Sequence, residues 1–342
     1  MKVSMPGRIL DRHVGGNTTY ARTLAEGLRQ RGVGVESMPY TSNPVLTMAQ
    51  ETAQALRRNA SAEEVLHYVA DTGPLVPTRT PSVVTVHGIA SRWIDGVRTA
   101  RQERVWRTRV KRAISSTNAL VTVSESSADD ISEVFGVDRT AIAVIPHGID
   151  SERFSRPVEL SPELQAQLPE QYLLYVGNIE PRKNLLALVE AMTQVRELGL
   201  PLVIAGKPAW NFAEAQKAIE TSPDVIYVGF VSDDDRSALM QHCTLFVFPS
   251  RYEGFGFPVL EAMAAGAPVL TSHEGALREV AGPSKILVGL DATAIAEGIS
   301  DALFDQPWRT SAIDGGRKWA SSFTWDASVD AHLAVYKNVS DR

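Results

Sequence analysis

Two glutamates on either side of a glycine-rich turn are the residues best suited to carry chemistry in this sequence. Glu253 and Glu261 lie eight positions apart within the stretch 250–262. The apolar run Leu245–Pro249 before them predicts a short buried strand. Pro258 suits the start of a helix, because its missing N–H would be unpaired there anyway. The pattern therefore predicts a strand, a glycine turn and a helix.

This arrangement concentrates positive potential at one point. Backbone N–H groups in the turn and the positive end of the helix dipole are directed to the same place. One carboxylate is expected in the turn and the other in the first helical turn. An anion with hydroxyl groups on both sides would fit such a site, and a nucleotide-sugar is a molecule of that kind.

A pair of adjacent cations is expected near the carboxylates. Arg182 and Lys183 belong to the segment Gly177–Asn184, which follows a predicted strand and opens a helix. Arginine offers a fork and lysine a point charge to phosphate oxygens. Basic residues at a helix N-terminus oppose the dipole, which disfavours a merely solvated pair. We therefore predict that this pair binds phosphate.

The first half of the chain has weaker candidates. Gly15 and Gly16 precede a predicted helix over 21–31, where glycines would let an anion approach the backbone. His87 ends a strand rich in β-branched residues and could orient a substrate hydroxyl. Taken alone, a glycine pair often only makes a turn and a strand-end histidine is often structural, so both alternatives stay open.

Composition limits the classes of protein. The 342 residues suffice for two domains, and the single cysteine, Cys243, excludes an internal disulfide and fits a reducing compartment. The chain has no signal-peptide pattern at its start and no run of about 18 apolar residues. We therefore expect a cytoplasmic protein. The seven histidines show no HxH or HExxH spacing, so we expect no metal site.

Strand-like and helix-like segments alternate along both halves of the chain. Examples are Ser82–Val86 in the first half and Tyr172–Val176 in the second, separated by a proline-rich connection at 150–170. Alternation of this kind predicts parallel sheets with right-handed crossovers. We therefore predict an α/β fold of two doubly wound Rossmann-like domains, 1–155 and 156–322, that face each other across a cleft.

A basic segment stands out against the net charge of −6. From Arg92 to Arg112 there are eight basic residues against two acidic ones, interleaved with apolar positions at helical spacing. One interpretation is a solvated helix whose arginine stems cover a core face. The other is a surface that binds an anionic acceptor or a membrane. No nucleic-acid-binding module accompanies the segment, so we expect no nucleic acid partner.

Taken together, these motifs resemble those of retaining glycosyltransferases of family four, which have the GT-B fold. The resemblance extends over nearly the whole chain. It rests on Gly15–Tyr20, His87, Pro146–Asp150, Gly177–Asn184 and the Glu-x7-Glu motif from Glu253 to Glu261. The tail 323–342 is similar to the family's C-terminal helix, which crosses back onto the first domain.

The resemblance implies a role for each matching residue. Glu261 would hold the ribose hydroxyls of the donor and Glu253 would face the donor sugar, while Arg182 and Lys183 would bind the diphosphate. The backbone N–H groups that would touch sugar or phosphate are those of Gly254, Phe255 and Gly256.

The resemblance makes the first domain the acceptor side and the second the donor side. On the first domain, it implies that Gly16 packs against the phosphates and that His87 contacts a hydroxyl of the donor sugar and lines the acceptor side. Two positions depart from the family pattern. Asn178 stands where many relatives carry a further arginine, which predicts a lighter phosphate clamp. Gly88 follows His87 where an aspartate is frequent, which leaves the orientation of the histidine open.

The implied activity is metal-independent, retaining transfer of a hexose from a GDP- or UDP-linked sugar, with GDP-mannose slightly preferred and no cofactor. The acceptor would be a glycan, a lipid-linked sugar or a small molecule, and the segment Arg92–Arg112 could bring the enzyme to the inner face of the membrane. Alternatives are a nucleotide-sugar epimerase or hydrolase on the same fold, and an inactive sugar-nucleotide-binding subunit. A nicotinamide-dependent dehydrogenase is disfavoured, because the GxGxxG fingerprint is absent.

Overall fold

The structure, a computed structural model, describes residues 1–11, 15–56 and 64–341. The chain divides into two compact units. The first unit contains Met1–Arg92, Arg98–Gly148 and the chain from Thr324 onward, and the second contains Trp93–Val97 and Ile149–Phe323.

The first unit is built on a parallel sheet. Within the described residues it has six strands in the order β2-β1-β3-β4-β5-β6. They are β1 (Lys2–Pro6), β2 (Gly34–Met38), β3 (Glu64–Tyr68), β4 (Ser82–Val86), β5 (Ala119–Thr122) and β6 (Ile142–Val144). Every residue of β3 and β4 is buried, as expected for a parallel sheet with helices on both faces.

Helices cover this sheet on two sides. They are α1 (Gly7–Leu10), α2 (Gly16–Gln30), α3 (Pro44–Leu56), α4 (Ala100–Ser116) and α5 (Glu125–Phe135). One core cluster contains Leu24 and Leu28 of α2, and a second contains Val110 of α4 and Ile131 of α5. Because β1 lies between β2 and β3, successive crossovers run in opposite directions, which places the helices on opposite faces.

The second unit repeats the plan. Its described residues form six parallel strands in the order β12-β11-β10-β7-β8-β9. The strands are β7 (Leu173–Val176), β8 (Leu202–Ala205), β9 (Val225–Gly229), β10 (Leu245–Phe248), β11 (Val269–Thr271) and β12 (Lys285–Ile286). The helices are α6 (Ser151–Ser155), α7 (Pro162–Gln165), α8 (Leu185–Gln194), α9 (Ala213–Thr221), α10 (Asp233–His242), α11 (Phe257–Ala265), α12 (Leu277–Val280), α13 (Ala292–Phe304) and α14 (Gln306–Ala320). The predicted α/β fold of two doubly wound units is confirmed.

The division between the units differs from the predicted boundary after residue 155. It falls between Gly148 and Ile149, because α6 is held by the second unit. Phe154 is 3% exposed, and Gln241 Nε2 donates to its carbonyl oxygen at 2.7 Å. The predicted connection at 150–170 is therefore partly helical, since α6 and α7 both lie in it.

The last helix, α15 (Trp325–Ser340), belongs to the first unit. It packs on α2, where Arg31 pairs with Asp326 at 2.8 Å and with Asp330 at 2.5 Å. Gly148 is required where α15 begins, because a Cβ there would lie 2.1 Å from the backbone nitrogen of Trp325. None of the helices in the described ranges is long and apolar enough to span a bilayer.

Candidate active site

Two loops of the second unit meet because their strands are neighbours. β7 and β10 pair in parallel, so the loops that follow them leave the same edge of the sheet. The first loop contains the short 3-10 turn Pro181–Lys183, and Asn184 then takes a left-handed conformation with φ of 60°. Arg251, in the second loop, connects the two. Its backbone N–H donates to the carbonyl oxygen of Arg182 at 2.8 Å, and its Nε donates to Asn184 Oδ1 at 2.9 Å.

The carboxylate of Glu253 accepts hydrogen bonds from both side chains that were predicted to bind phosphate. Arg182 Nη1 donates to Glu253 Oε2 at 2.5 Å, and Lys183 Nζ donates to Oε1 at 2.6 Å. Lys183 is 6% exposed and Glu253 is also 6% exposed. The sequence interpretation assigned the cations to phosphate and the glutamate to sugar. The structure brings the three side chains into direct contact.

Two further polar residues hold this group in place. Ser250 Oγ donates to Glu253 Oε1 at 2.7 Å, and the serine is fully buried. Glu180 Oε1 accepts from Arg182 Nε at 2.9 Å and from Nη2 at 2.5 Å. Two cations and two carboxylates therefore form a group of formal charge zero, which we call the Glu253 cluster (Glu180, Arg182, Lys183, Ser250, Glu253).

The pKa values follow from these contacts. Burial alone would raise the pKa of Glu253, but the charges of Arg182 and Lys183 and the bond from Ser250 lower it to about 2. Burial, and then the charge of Arg182, lower the pKa of Lys183 despite its bond to Glu253. Burial alone would lower the pKa of Arg182, but the carboxylates of Glu253 and Glu180 contact the guanidinium and raise its pKa. Glu253 is thus an ionised group fixed by donors on both of its oxygens.

Glu261 lies in a different environment. It occupies the second turn of α11, one turn later than predicted, and Arg236 Nη1 of α10 is 3.7 Å from its Oε2. Burial raises the pKa of Glu261, and the charges of Arg236 and Arg153 only partly oppose this effect. The Arg236 guanidinium also lies 5.3 Å from the centre of the Phe154 ring. The two glutamates of the motif are therefore held by different cations.

The glycine turn gives α11 its direction. Gly256 is the N-cap residue with φ of 114°, a conformation that disfavours any side chain. A Cβ at this position would also approach the side chains of Leu277 and Val280 to 2.9 and 3.0 Å. Phe255 is 6% exposed and packs edge-on against Phe257. The order strand, glycine turn and helix is as predicted, and α11 begins one residue before Pro258.

The first unit places its predicted residues at the carboxyl ends of its strands. Gly16 is exposed and begins α2, five residues before the predicted start, after Gly15 with φ of 105°. Residues 12–14 lie outside the described part. His87 follows β4, and its Nε2 donates to the carbonyl of Val69 at 2.8 Å. Asp71 Oδ1 accepts from the His87 backbone N–H at 2.9 Å, so a neighbouring loop supplies a carboxylate although Gly88 does not.

A buried polar network supports the ring of His87. Tyr20 of α2 lies 5.0 Å from the His87 ring and 4.7 Å from that of His147. The Tyr20 hydroxyl is 2.7 Å from His332 Nε2, while His332 Nδ1 donates to the Ser328 carbonyl at 2.7 Å, so the tyrosine donates to the ring. Burial is the main cause that lowers the pKa of His332 to about 4. α15 thus contributes a neutral histidine to the core beneath His87.

The basic segment is shorter as a helix than the sequence indicated. α4 begins at Ala100, where Thr99 and Gln102 form a capping box. Glu103 pairs with Arg98 at 3.3 Å and with Arg107 at 2.6 Å, and Arg92 pairs with Glu133 at 2.5 Å. The exposed basic residues of α4 are Arg101, Arg104, Lys111 and Arg112. Part of the segment is therefore neutralised locally, and part is presented to solvent.

Family models match both units. The model described as Glycosyl transferases group 1 matches residues 159–319, and the model described as Glycosyltransferase Family 4 matches residues 65–153. Both units of the chain therefore match glycosyltransferase models. The predicted family resemblance is thereby confirmed.

Individual relatives agree with this family. The chain is 33% identical over 235 residues to the O-antigen chain mannosyltransferase B of Escherichia coli, covering 66% of this chain and 62% of that protein. Less than two thirds of this relative is therefore matched. Sucrose-phosphate synthase from Thermosynechococcus elongatus has a similar structure, with a TM-score of 0.78, 19% identity and 98% of both chains covered. HepE from Anabaena, solved with UDP-glucose, has a TM-score of 0.74, 17% identity and 100% of both chains covered.

Several residues that support the predicted site residues were missed by sequence reasoning. Ser250, Glu180 and Asp71 each bind a predicted site residue, and Arg236 lies beside Glu261. Ser250 and Glu180 follow predicted strands, which was the one available signal. Asp71 follows β3, which was not predicted, and Arg236 lies within α10. The residues that they contact are distant in the sequence or are brought close by a turn. Sequence spacing alone therefore could not identify these contacts.

Proposed function

We propose that this chain is a retaining, metal-independent hexosyltransferase that uses a nucleotide-sugar donor. The observation that carries the proposal is the Glu253 cluster. In it, the buried Lys183 and the partly exposed Arg182 follow β7 and are held by Glu253, which follows the neighbouring strand β10. A diphosphate leaving group needs cationic donors that are already in position, and Glu180 and Glu253 hold Arg182 and Lys183 in place. The role of Glu261 is to accept hydrogen bonds from the ribose hydroxyls.

The reaction breaks the bond between the anomeric carbon and the diphosphate oxygen. Negative charge grows on the phosphate as this bond lengthens, and Arg182 and Lys183 stabilise it. Because Glu180 and Glu253 already hold both side chains, little reorganisation is needed when the charge develops. Asn178 adds no charge to the phosphate site, so these two residues provide its cations.

Retention follows from attack on the face that the diphosphate leaves. The acceptor oxygen forms the new bond to the anomeric carbon, and its proton passes to an oxygen of the departing phosphate. Glu253 is a poor nucleophile, because both oxygens accept bonds from cations and Oε1 also accepts from Ser250. Its role is to position Arg182 and Lys183. His87 would contact a hydroxyl of the donor sugar, as the family resemblance implies.

Mannose is the proposed sugar and GDP the proposed nucleotide. The support is the form of the Gly177–Asn184 loop and the name of the Escherichia coli relative, a mannosyltransferase. A thermal-shift screen against GDP, UDP, ADP and dTDP tests the nucleotide, since a ligand that binds only the folded state raises the unfolding midpoint. GDP should give the largest shift, and a protein that responds to none of the four would contradict the proposal.

The stereochemical course is tested separately. Proton NMR of the product should show the anomeric configuration of the donor, and an inverted product would refute the mechanism. Mass spectrometry of the intact protein after incubation with donor alone should show no covalent sugar. A glycosyl adduct on Glu253 would refute front-face attack even if the configuration were retained.

The exposed face of α4 is proposed to contact an anionic membrane. Arg101, Arg104, Lys111 and Arg112 lie there beside Val105, whose side chain is 54% exposed. Such a face suits lipid-linked acceptors, because cationic residues are attracted to anionic lipid headgroups. The protein should co-sediment with phosphatidylglycerol vesicles and not with phosphatidylcholine vesicles. Equal binding to both, or to neither, would remove the membrane from the proposal.

A further inference from the structure

A buried carboxylate in the first unit has an oxygen without a partner. Glu51 of α3 is 1% exposed, and its Oε1 accepts from Arg8 Nε at 2.7 Å. Its Oε2 is buried and has no hydrogen-bond partner in the described part of the chain. Leaving a charged oxygen buried and unpaired is costly. A further hydrogen-bond donor at this position would stabilise the carboxylate.

Two arginines stand beside this carboxylate. Arg8 is partly exposed, with 26% of its side chain accessible, and its Nη2 donates to Thr72 Oγ1 at 3.2 Å. Arg109 of α4 has a buried Nε without a partner among the described residues. Burial and then the charge of Arg8 lower the pKa of Arg109, while Glu51 raises it, so the three charges interact. We call Arg8, Glu51, Thr72 and Arg109 the Arg8 cluster.

The cluster lies at the same sheet edge as His87. Arg8 comes directly after β1, and Thr72 lies in the loop after β3. Asp71, the neighbour of Thr72, accepts from the backbone N–H of His87. The carboxyl ends of parallel strands form the ligand-binding edge of a doubly wound sheet. The Arg8 cluster and His87 are therefore two parts of one surface in the first unit.

We propose that the Arg8 cluster is the acceptor-binding subsite and that the acceptor is a polyol with an anionic group. The assignment rests on the proposed transferase function. Glu51 Oε2 accepts a hydrogen bond from an acceptor hydroxyl that does not react. Arg8 and Arg109 bind a phosphate or carboxylate of the same molecule, since two guanidinium groups exceed the one carboxylate in charge.

Isothermal titration calorimetry on the full chain tests the subsite with four probes. D-glucose 6-phosphate and D-glucuronate combine hydroxyl groups with an anion, whereas D-glucose and inorganic phosphate each carry one of the two features. We expect the two anionic sugars to bind at least about tenfold more tightly than D-glucose and phosphate. Equal affinity for D-glucose, or no binding of either anionic sugar, overturns the proposal.

Variants connect the binding to the named residues. Arg109→Gln should weaken binding of the better anionic sugar at least about tenfold, while Arg29→Gln, an exposed change on α2, should leave it unchanged. Glu51→Gln is the second variant if Arg109→Gln does not fold, as checked by circular dichroism. It should weaken binding of D-glucose 6-phosphate more than binding of inorganic phosphate. A folded variant that binds like the wild type refutes the assignment.

Nucleotide binding separates this inference from the proposed function. Arg109→Gln should keep the thermal shift that nucleoside diphosphates produce, because the Glu253 cluster and Glu261 lie in the other unit. If nucleotides bind and the anionic sugars do not, the acceptor assignment is wrong and the proposed donor site stands. If no nucleotide binds, the proposed function fails, whatever the sugars do.

Discussion

Replacing Glu253 with glutamine tests the charge balance of the Glu253 cluster. The substitution keeps the size of the side chain and removes its negative charge. Arg182 retains Glu180 as a partner, but Lys183 loses the carboxylate to which it donates. Breaking a buried ion pair by removing one partner typically costs about 3–5 kcal/mol, because a buried charge is left uncompensated. Glu253→Gln should therefore destabilise the second unit.

The lowered pKa of Glu253 gives an independent magnitude. The pKa falls from 4.5 for an unperturbed glutamate to about 2 in the folded chain. At 1.36 kcal/mol for each pKa unit, this difference corresponds to about 3 kcal/mol of stability at neutral pH. The two arguments agree in order of magnitude, so we expect Glu253→Gln to lower the free energy of unfolding by about 3 kcal/mol at pH 7.

The pH dependence has a definite sign. A carboxylate with a depressed folded-state pKa stabilises fully above its unfolded pKa, and this stabilisation is lost as the pH falls toward the folded value. The difference between wild type and variant should therefore be constant from pH 7 to about 6. It should shrink by about 1 kcal/mol at pH 4.

Urea unfolding followed by tryptophan fluorescence measures this difference, because Trp308 and Trp319 lie in the second unit. Glu274→Gln is the matched control, since Glu274 is exposed in the same unit. A difference that is the same at pH 7 and pH 4 would refute the electrostatic reasoning. So would a Glu253→Gln variant that is as stable as the control.

Three further predictions concern single positions. Lys183→Ala should lower kcat by about 10² or more, because one charge-stabilising contact is lost. Lys217→Ala, at an exposed position of α9, should leave kcat unchanged, and equal rates for the two variants would remove Lys183 from the mechanism. Glu261→Ala should raise the Kd for the nucleoside diphosphate about tenfold, as expected for loss of hydrogen bonds to a charged group. A Kd that is unchanged in calorimetry would contradict the proposal that Glu261 binds the ribose hydroxyls. Gly148→Ala should lower the Tm of the first unit, because the new Cβ would lie 2.1 Å from the backbone nitrogen of Trp325, where α15 begins. Gly34→Ala is the control and should leave the Tm unchanged, since its Cβ would meet nothing closer than 4.0 Å. Equal Tm values for the two variants would be evidence against the close contact at Gly148.

Local patterns were enough to predict much of the fold. β4 and β8 match their predicted ranges, and α10 begins and ends at the predicted residues. These segments have either a continuous apolar run or a clear cap, so the signal lies within the element itself. Other elements were missed: β1 and β2 because polar residues interrupt their apolar pattern, and α6 because it was interpreted as part of a linker.

The candidate site was predicted as a set of residue types and not as a set of contacts. Sequence placed Glu253, Arg182 and Lys183 at strand ends but assigned them to different parts of the ligand. It also missed Ser250, whose hydroxyl fixes the carboxylate, because a single serine after a strand has many ordinary explanations. The buried oxygen of Glu51 has no sequence signal, since burial depends on which elements cover it.

The sequence by itself determined the class of fold and the chemical groups available, because hydrophobic periodicity, glycine turns and charged side chains are local properties. The tertiary structure decided which of those groups act together. β7 and β10 are separated along the chain but adjacent in the sheet, and this adjacency brings Glu253 to Arg182 and Lys183. Parallel pairing between distant strands depends on the packing of the whole unit, so the charge balance at the site appears only in the folded chain.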